Sequence, residues 1–304
     1  MRSEPEGRFH TVDASPVPHD SRDKSTRTTL ITSDGVRIEA RYHPGPEGPP
    51  GTAVVVAHGF TGSLDRPALR RAAGVFAQRA AVVTFSFRGH GGSSGRSTVG
   101  DREVLDLAAA VGWARALGHS RVVTVGFSMG GSVALRHAAL HAPGRFTGTG
   151  GVQGRTEARA GVRAAHTDAV VSISAPARWY YRGTAPMRRV HWVISSPLGR
   201  AVGRYGLRTR VDTRAWDPVP LSPAGAVPLI APTPLLVVHG ERDPYFPLDH
   251  PRMLAAAGPA ELWVEPGMGH SPYVRDEARN AAGDLLLARI AQWLADREPS
   301  AHGS

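Results

Sequence analysis

Apolar positions along the chain fall into two kinds of pattern. Continuous runs at 53–57, 81–87, 122–125, 169–173 and 235–238 read as strands covered on both faces, which is the signature of a parallel sheet. Glycine-bearing turns follow most of them, and several lead into helical spacing. Segment 67–79 reads as a helix after the first run. Segment 101–117 reads as a helix after the second, with Val104, Leu107, Ala108 and Val111 on one face. Val133, Ala134 and Leu135 open a third helix-forming run. A last strand is expected at 261–265, and a closing helix over 274–296 directs Leu286, Ile290, Trp293 and Leu294 at the sheet. Ahead of all these, 28–31 and 36–42 alternate across Ser33-Asp34-Gly35 and predict an antiparallel hairpin at one sheet edge. Strands alternating with helices at this spacing predict an α/β fold, a mostly parallel, doubly wound sheet whose ligand sites lie beyond the carboxyl ends of the strands.

Some stretches depart from that economy. Residues 1–26 and 298–304 are polar and are expected to be flexible tails, and the proline- and glycine-rich 44–51 is a loop. The glycine-, arginine- and threonine-rich 144–166 reads as an exposed insertion, and its glycines do not form a dinucleotide-binding fingerprint. Between the sixth and seventh strands, 177–231 mixes aromatics with many arginines and holds no convincing buried strand. It is expected to fold as a small, largely helical cap that walls an apolar pocket, with Trp179, Tyr180 and Trp192 as candidate substrate contacts. The division predicted is a core of 27–176 and 232–297 with the cap at 177–231.

Composition narrows the chemistry. The 304 residues contain no cysteine, which excludes disulfides, thiolate metal sites and a thiol nucleophile. No apolar run approaches the ~20 residues of a membrane span, and the N-terminus lacks a signal-like apolar stretch, so a soluble, cytoplasmic protein without stable membrane insertion is expected. The net charge of +10 comes from scattered arginines, Lys24 being the single lysine, and argues for compositional bias rather than a nucleic-acid partner. The arginines of the cap are read as a solvated face, with attraction of an anionic substrate as the alternative.

Candidate chemistry centres on Gly126-Phe127-Ser128-Met129-Gly130, a G-x-S-x-G sequence between a buried strand and a helix. In that context the serine occupies a strained turn whose flanking glycines remove Cβ atoms that would clash. A serine hydroxyl needs a base, and the base needs a carboxylate to fix its tautomer. Asp243 follows the strand after the cap and His270 follows the final strand, giving the order Ser, Asp, His at one sheet edge. Asp168 and Asp217 are less well placed carboxylates. The backbone N–H groups of Phe60 and Met129 are the candidate oxyanion donors. His58 and His90 are read as hydrogen-bonded braces of their turns rather than metal ligands, since no close-spaced cluster accompanies them.

His58-Gly59-Phe60, Arg88-Gly89-His90-Gly91, Gly126 to Gly131, Gly240-Glu241-Arg242-Asp243 and Gly269-His270 together resemble the α/β-hydrolase superfamily over roughly 28–297. The nearest likeness is to the monoacylglycerol lipase, feruloyl esterase and serine aminopeptidase group. That resemblance implies hydrolysis of a small-molecule carboxylic ester, thioester or amide without metal or organic cofactor. Dehalogenases and epoxide hydrolases of this fold use Asp as nucleophile, which Ser128 argues against. An aminopeptidase or amidase remains the alternative enzyme, and a silent ligand-binding receptor the alternative outside catalysis.

Overall fold

The computed structural model describes residues 25–46, 51–143, 164–273 and 277–297. The predicted tails, apart from residues 25 and 26, and positions 144–163 of the predicted insertion lie outside the described residues. Among the described residues eight strands are formed: β1 (Thr26–Ile31), β2 (Arg37–His43), β3 (Thr52–Ala57), β4 (Ala81–Phe85), β5 (Arg121–Phe127), β6 (Val170–Ile173), β7 (Leu235–Gly240) and β8 (Glu261–Glu265). They make one sheet in the order β1-β2-β4-β3-β5-β6-β7-β8. The hairpin β1–β2 and its junction with β4 are antiparallel, and every other pairing is parallel. This is the expected doubly wound α/β architecture.

Helices α1 (Pro67–Phe76), α2 (Glu103–Ala116) and α3 (Met129–Leu140) follow β3, β4 and β5. Because successive strand residues face opposite sides, Ala53 and Val55 join one core with Leu107, Val111, Val133 and Leu135 of α2 and α3. Val54 and Val56 join the other, with Phe76 of α1. Helix α1 starts with Pro67 at a position where its missing N–H costs nothing, and it stops three residues before the expected end as 77–80 turn back into β4.

The segment after β6 contains no strand. It forms α4 (Ala185–Ser195), α5 (Pro197–Tyr205) and α6 (Pro223–Ala226), followed by a short 3-10 turn, Val227–Leu229. Two isolated bridges, His90 to Thr209 and Ser97 to Val211, fasten it to the loop after β4. Ala226, Val227 and Ile230 are buried in the core on the α2–α3 side. Then come α7 (Asp249–Ala256) and α8 (Glu277–Ala295), whose Leu286, Ile290, Trp293 and Leu294 are buried on the α1 side as predicted. Among the described residues no helix is long and apolar enough to cross a membrane.

The sequence pattern missed one polar feature of this core. Helix α2 buries Glu103 and Asp106 together with Val104 and Leu107, while Ala108 is only half-buried. Asp106 accepts from the backbone N–H and the guanidinium of Arg88, and that guanidinium also donates to Asp34 on the hairpin turn. The hydrogen bond from Arg88 is the largest influence on Asp34, whose carboxyl falls from an ordinary 3.8 to about 2. Removing one partner of a buried ion pair strands the other charge. Arg88→Met is therefore expected to lower the unfolding free energy by about 3–5 kcal/mol, read from urea denaturation curves.

Candidate active site

Between the last residue of β5 and the first of α3, Ser128 adopts φ 52° and ψ −115°, a left-handed backbone unusual for a residue with a side chain. Two backbone bonds hold it there. Its N–H donates to the Ile173 carbonyl at 2.8 Å, and the Ser132 N–H donates to its carbonyl at 3.1 Å. The neighbouring glycines are required by space: a Cβ at Gly126 would overlap the Gly130 carbonyl, and one at Gly130 would overlap the carbonyl of Ala57. Only bare backbone lets β5, α3 and the end of β3 cross so closely, and the crossing lifts the Ser128 hydroxyl above the sheet.

Asp243 and His270 arrive from the loops after β7 and β8. The Asp243 side chain is buried; Oδ1 accepts from the N–H groups of Tyr245 and Phe246 at 2.8 and 3.1 Å. Its Oδ2 lies 2.8 Å from His270 Nδ1, and His270 Nε2 lies 2.9 Å from Ser128 Oγ. An ionised carboxylate only accepts, so Nδ1 carries the proton and the Nε2 lone pair faces the serine hydroxyl. The three residues nominated from the sequence are thus brought into one hydrogen-bonded line.

Further contacts, which the sequence motifs alone do not reveal, support that line. The Arg242 N–H donates to the Met268 carbonyl at 2.9 Å, and a Cβ at Gly240 would overlap the Gly269 carbonyl, so a bare residue there lets the histidine loop close onto the aspartate loop. The Tyr245 ring stacks on His270 at 4.4 Å between centroids. Beneath them His239 donates from Nε2 to the Phe246 carbonyl at 2.8 Å, with the same nitrogen 3.5 Å from Asp243 Oδ2. Burial pushes the His239 imidazole below its ordinary value.

On the other side of Ser128 the loop after β3 comes in tight contact, a Cβ at Gly59 being only 3.2 Å from the Ser128 Cβ. Phe60 of that loop and Met129, the first residue of α3, line the cavity together with Ser128. Helix geometry leaves a first-turn N–H such as that of Met129 without an intrahelical acceptor. His58 braces the loop as expected: Nε2 accepts from the Phe87 N–H at 3.0 Å and Nδ1 donates to the Gly59 carbonyl at 2.7 Å. Burial first, and then the neighbouring His90, push the His58 imidazole down to about 3. His90 makes the matching contact, donating from Nδ1 to the Arg88 carbonyl at 3.0 Å. Among the described residues no group of three or more His, Cys, Asp or Glu is placed to hold a metal ion.

Above the serine is a cavity of about 670 Å³ between the core and the segment after β6. Trp179 and Tyr180 line it, as does His270. Trp192 does not: it and Arg188, one turn apart on α4, are exposed and stand outside the lining, the Arg188 guanidinium donating to the Arg182 and Gly183 carbonyls. The other face of α4 supplies Val190, Val193 and Ile194 to the wall. Trp179 has a structural duty as well, since its indole N–H donates to the Pro220 carbonyl and its ring meets Trp216 edge-on at 5.2 Å. The Trp216 N–H in turn donates to the Thr98 carbonyl at 2.7 Å. Among the described residues four arginines (178, 182, 189 and 214) reach the cavity, against a single carboxylate, Asp212. The alternative acids stand elsewhere: Asp168 binds the Val122 N–H and Arg115 at the amino ends of the strands, and Asp217 is exposed in the inserted segment.

A sequence profile of the alpha/beta hydrolase family matches residues 54–282. Among solved structures the chain is similar to an esterase of Pyrococcus furiosus, with 22% identity over 94% of this chain and 97% of that one and a TM-score of 0.62. It is also similar to an a/b serine hydrolase without a lid from Xanthomonas campestris, at 19% identity over 95% and 100% with a TM-score of 0.54. The esterase domain of a Rhodothermus marinus protein aligns at 18% identity over 90% and 99% with a TM-score of 0.60. No curated protein matches the chain by sequence.

Gly126→Ala is expected to destabilise the fold by about 3 kcal/mol through overpacking at the crossing, or to prevent soluble expression, as judged by thermal unfolding. His58 yields a pH prediction. Its folded value is depressed, so the stability it contributes is fully present above the unfolded value near 6.5 and is lost as pH falls toward 3. Going from pH 7 to 5 is expected to cost about 2 kcal/mol through this residue. Urea unfolding at the two pH values should show a shallower dependence in His58→Gln.

Proposed function

The chain belongs to the alpha/beta hydrolase family, and from that premise we propose that it is a serine hydrolase cleaving a carboxylic ester or thioester through an acyl-enzyme. Ser128 is the nucleophile, His270 the general base and acid, and Asp243 the group that orients His270. The observation that carries this reading is the pair of hydrogen bonds at His270, 2.9 Å to the Ser128 hydroxyl and 2.8 Å to the Asp243 carboxylate.

In this mechanism the Ser128 oxygen attacks the acyl carbon as His270 Nε2 takes the hydroxyl proton. The imidazolium that forms is stabilised by Asp243, whose carboxylate is held in place by two backbone donors. Charge developing on the carbonyl oxygen is met by the N–H groups of Phe60 and Met129, the latter at a helix N-terminus where the dipole favours an anion. His270 then gives its proton to the departing alkoxide or thiolate, and repeats both steps for the water that releases the acid.

Within the family the chemistry of the cavity favours the lipase and esterase side of the monoacylglycerol lipase, feruloyl esterase and serine aminopeptidase group. Two of the similar structures bear the name esterase. An aminopeptidase needs a carboxylate for the substrate's free amine. The cavity offers Asp212, which already accepts from the Arg214 backbone and lies 3.5 Å from its guanidinium. Arginines around the rest of the cavity would repel a cationic amine.

The test is twofold. A fluorophosphonate is expected to label Ser128, and p-nitrophenyl esters of short acids are expected to be turned over by the wild type. Ser128→Ala and Asp243→Asn should each reduce kcat by about 10⁴-fold or more while leaving the unfolding midpoint close to wild type. A folded wild type that is neither labelled nor active contradicts the proposal and favours a ligand-binding member of the fold.

A further inference from the structure

Helix α5 is packed with its polarity reversed. Its buried residues are Gly199 and Gly203, which settle on α4: a Cβ at Gly199 would overlap the Trp192 carbonyl, and one at Gly203 would stand 3.4 Å from Val193 Cγ1. Its apolar side chains point the other way. Leu198 is 68% exposed, Val202 43% and Tyr205 78%, at the i, i+4, i+7 spacing that aligns them on one helical face. Trp192, turned out of the cavity on neighbouring α4, is 44% exposed. A water-facing helix ordinarily presents its charged side and buries these residues. Contiguous exposed apolar surface rimmed by polar groups marks a docking site.

Charge identifies the occupant. Between 177 and 211 the chain has eight arginines and no aspartate or glutamate, against a net charge of +10 for all 304 residues. Arg188 and Arg204 are exposed, and the Arg204 guanidinium lies 5.4 Å from the Tyr205 ring. A second copy docking through the same face would oppose arginine to arginine with no carboxylate from 177–211 to pair them, which is unfavourable. A surface of anionic headgroups over hydrocarbon satisfies both halves of the pattern, arginines at the phosphates and Leu198, Val202, Tyr205 and Trp192 at the acyl boundary. We propose that α5, with the outer face of α4, docks the protein peripherally on an anionic lipid bilayer. This is interfacial contact rather than insertion.

Ser128→Ala protein, used so that lipid cannot be consumed, separates this test from the proposed hydrolysis. Sedimentation is measured with phosphatidylcholine vesicles and with vesicles containing 30% phosphatidylglycerol. Binding to the anionic vesicles is expected to exceed that to the neutral ones at least about tenfold and to weaken with added salt. Adding Leu198→Gln or Tyr205→Gln should weaken it about tenfold, and Arg188→Gln or Arg204→Gln about fivefold each. Far-UV circular dichroism and the unfolding midpoint, unchanged in the variants, report that the fold is intact. Equal binding to both vesicles, no binding, or binding indifferent to Leu198→Gln overturns the proposal. So does a dimer by analytical ultracentrifugation that Leu198→Gln dissociates while the vesicles stay bare.

Discussion

The close crossing of β5, α3 and the end of β3 at Ser128 is the constraint on which the remainder of the site depends. A side-chain-bearing residue at positive φ costs about 1–3 kcal/mol and persists only where its surroundings over-determine it. Here they do: the hydrogen bond from Ser128 to Ile173 continues the pairing of β5 with β6, and α3 begins at the next residue. Burial of the valines of β3 and β5 on both faces supplies the rigidity that a single turn lacks. Relaxing the turn would require the sheet to open.

Everything else converges on that fixed hydroxyl because parallel strands end at one edge. The loops after β7 and β8 are neighbours since β7 and β8 are, and the backbone bond from Arg242 to Met268 carries the pairing past the last strand residues. Asp243 is held by two amides of its own turn, so its orientation does not rely on His270. The inserted segment is tied into the same structure. Thr184 caps α4 by accepting from the Met187 N–H, and its hydroxyl donates to the Tyr245 carbonyl, linking the cavity wall to the residue that stacks on His270. Glu103 organises the opposite wall, its buried carboxylate collecting the N–H groups of Thr98, Val99 and Gly100.

How much of this was legible in the sequence follows from the kind of signal each part leaves. The strands were, because two-sided burial demands uninterrupted runs such as 53–57, and the turn at Ser128 was, because its crossing tolerates only glycine at 126 and 130. Asp243 and His270 are legible from their place after the seventh and eighth strands. Glu103 and Asp106 were not, since a carboxylate satisfied inside the protein reads in the sequence like a solvated one. Gly240 is visible as part of a motif, while the close contact with Gly269 that its bare backbone permits is not. The aromatics of the inserted segment misled in part: Trp179 and Tyr180 reach the cavity, while Trp192 and the apolar face of α5 point outward. A helix whose inner face is glycine reverses the usual inference from apolar residue to interior.

A crystal structure with a short alkyl boronic acid bound tests the central claim most directly, because a tetrahedral boronate reports nucleophile, base and oxyanion donors together. The account predicts boron bonded to Ser128 Oγ, one boronate oxygen between the N–H groups of Phe60 and Met129, and His270 still bridging to Asp243. Boron absent from Ser128 at saturating concentration, or its oxygen turned away from both amides toward α4, would contradict it.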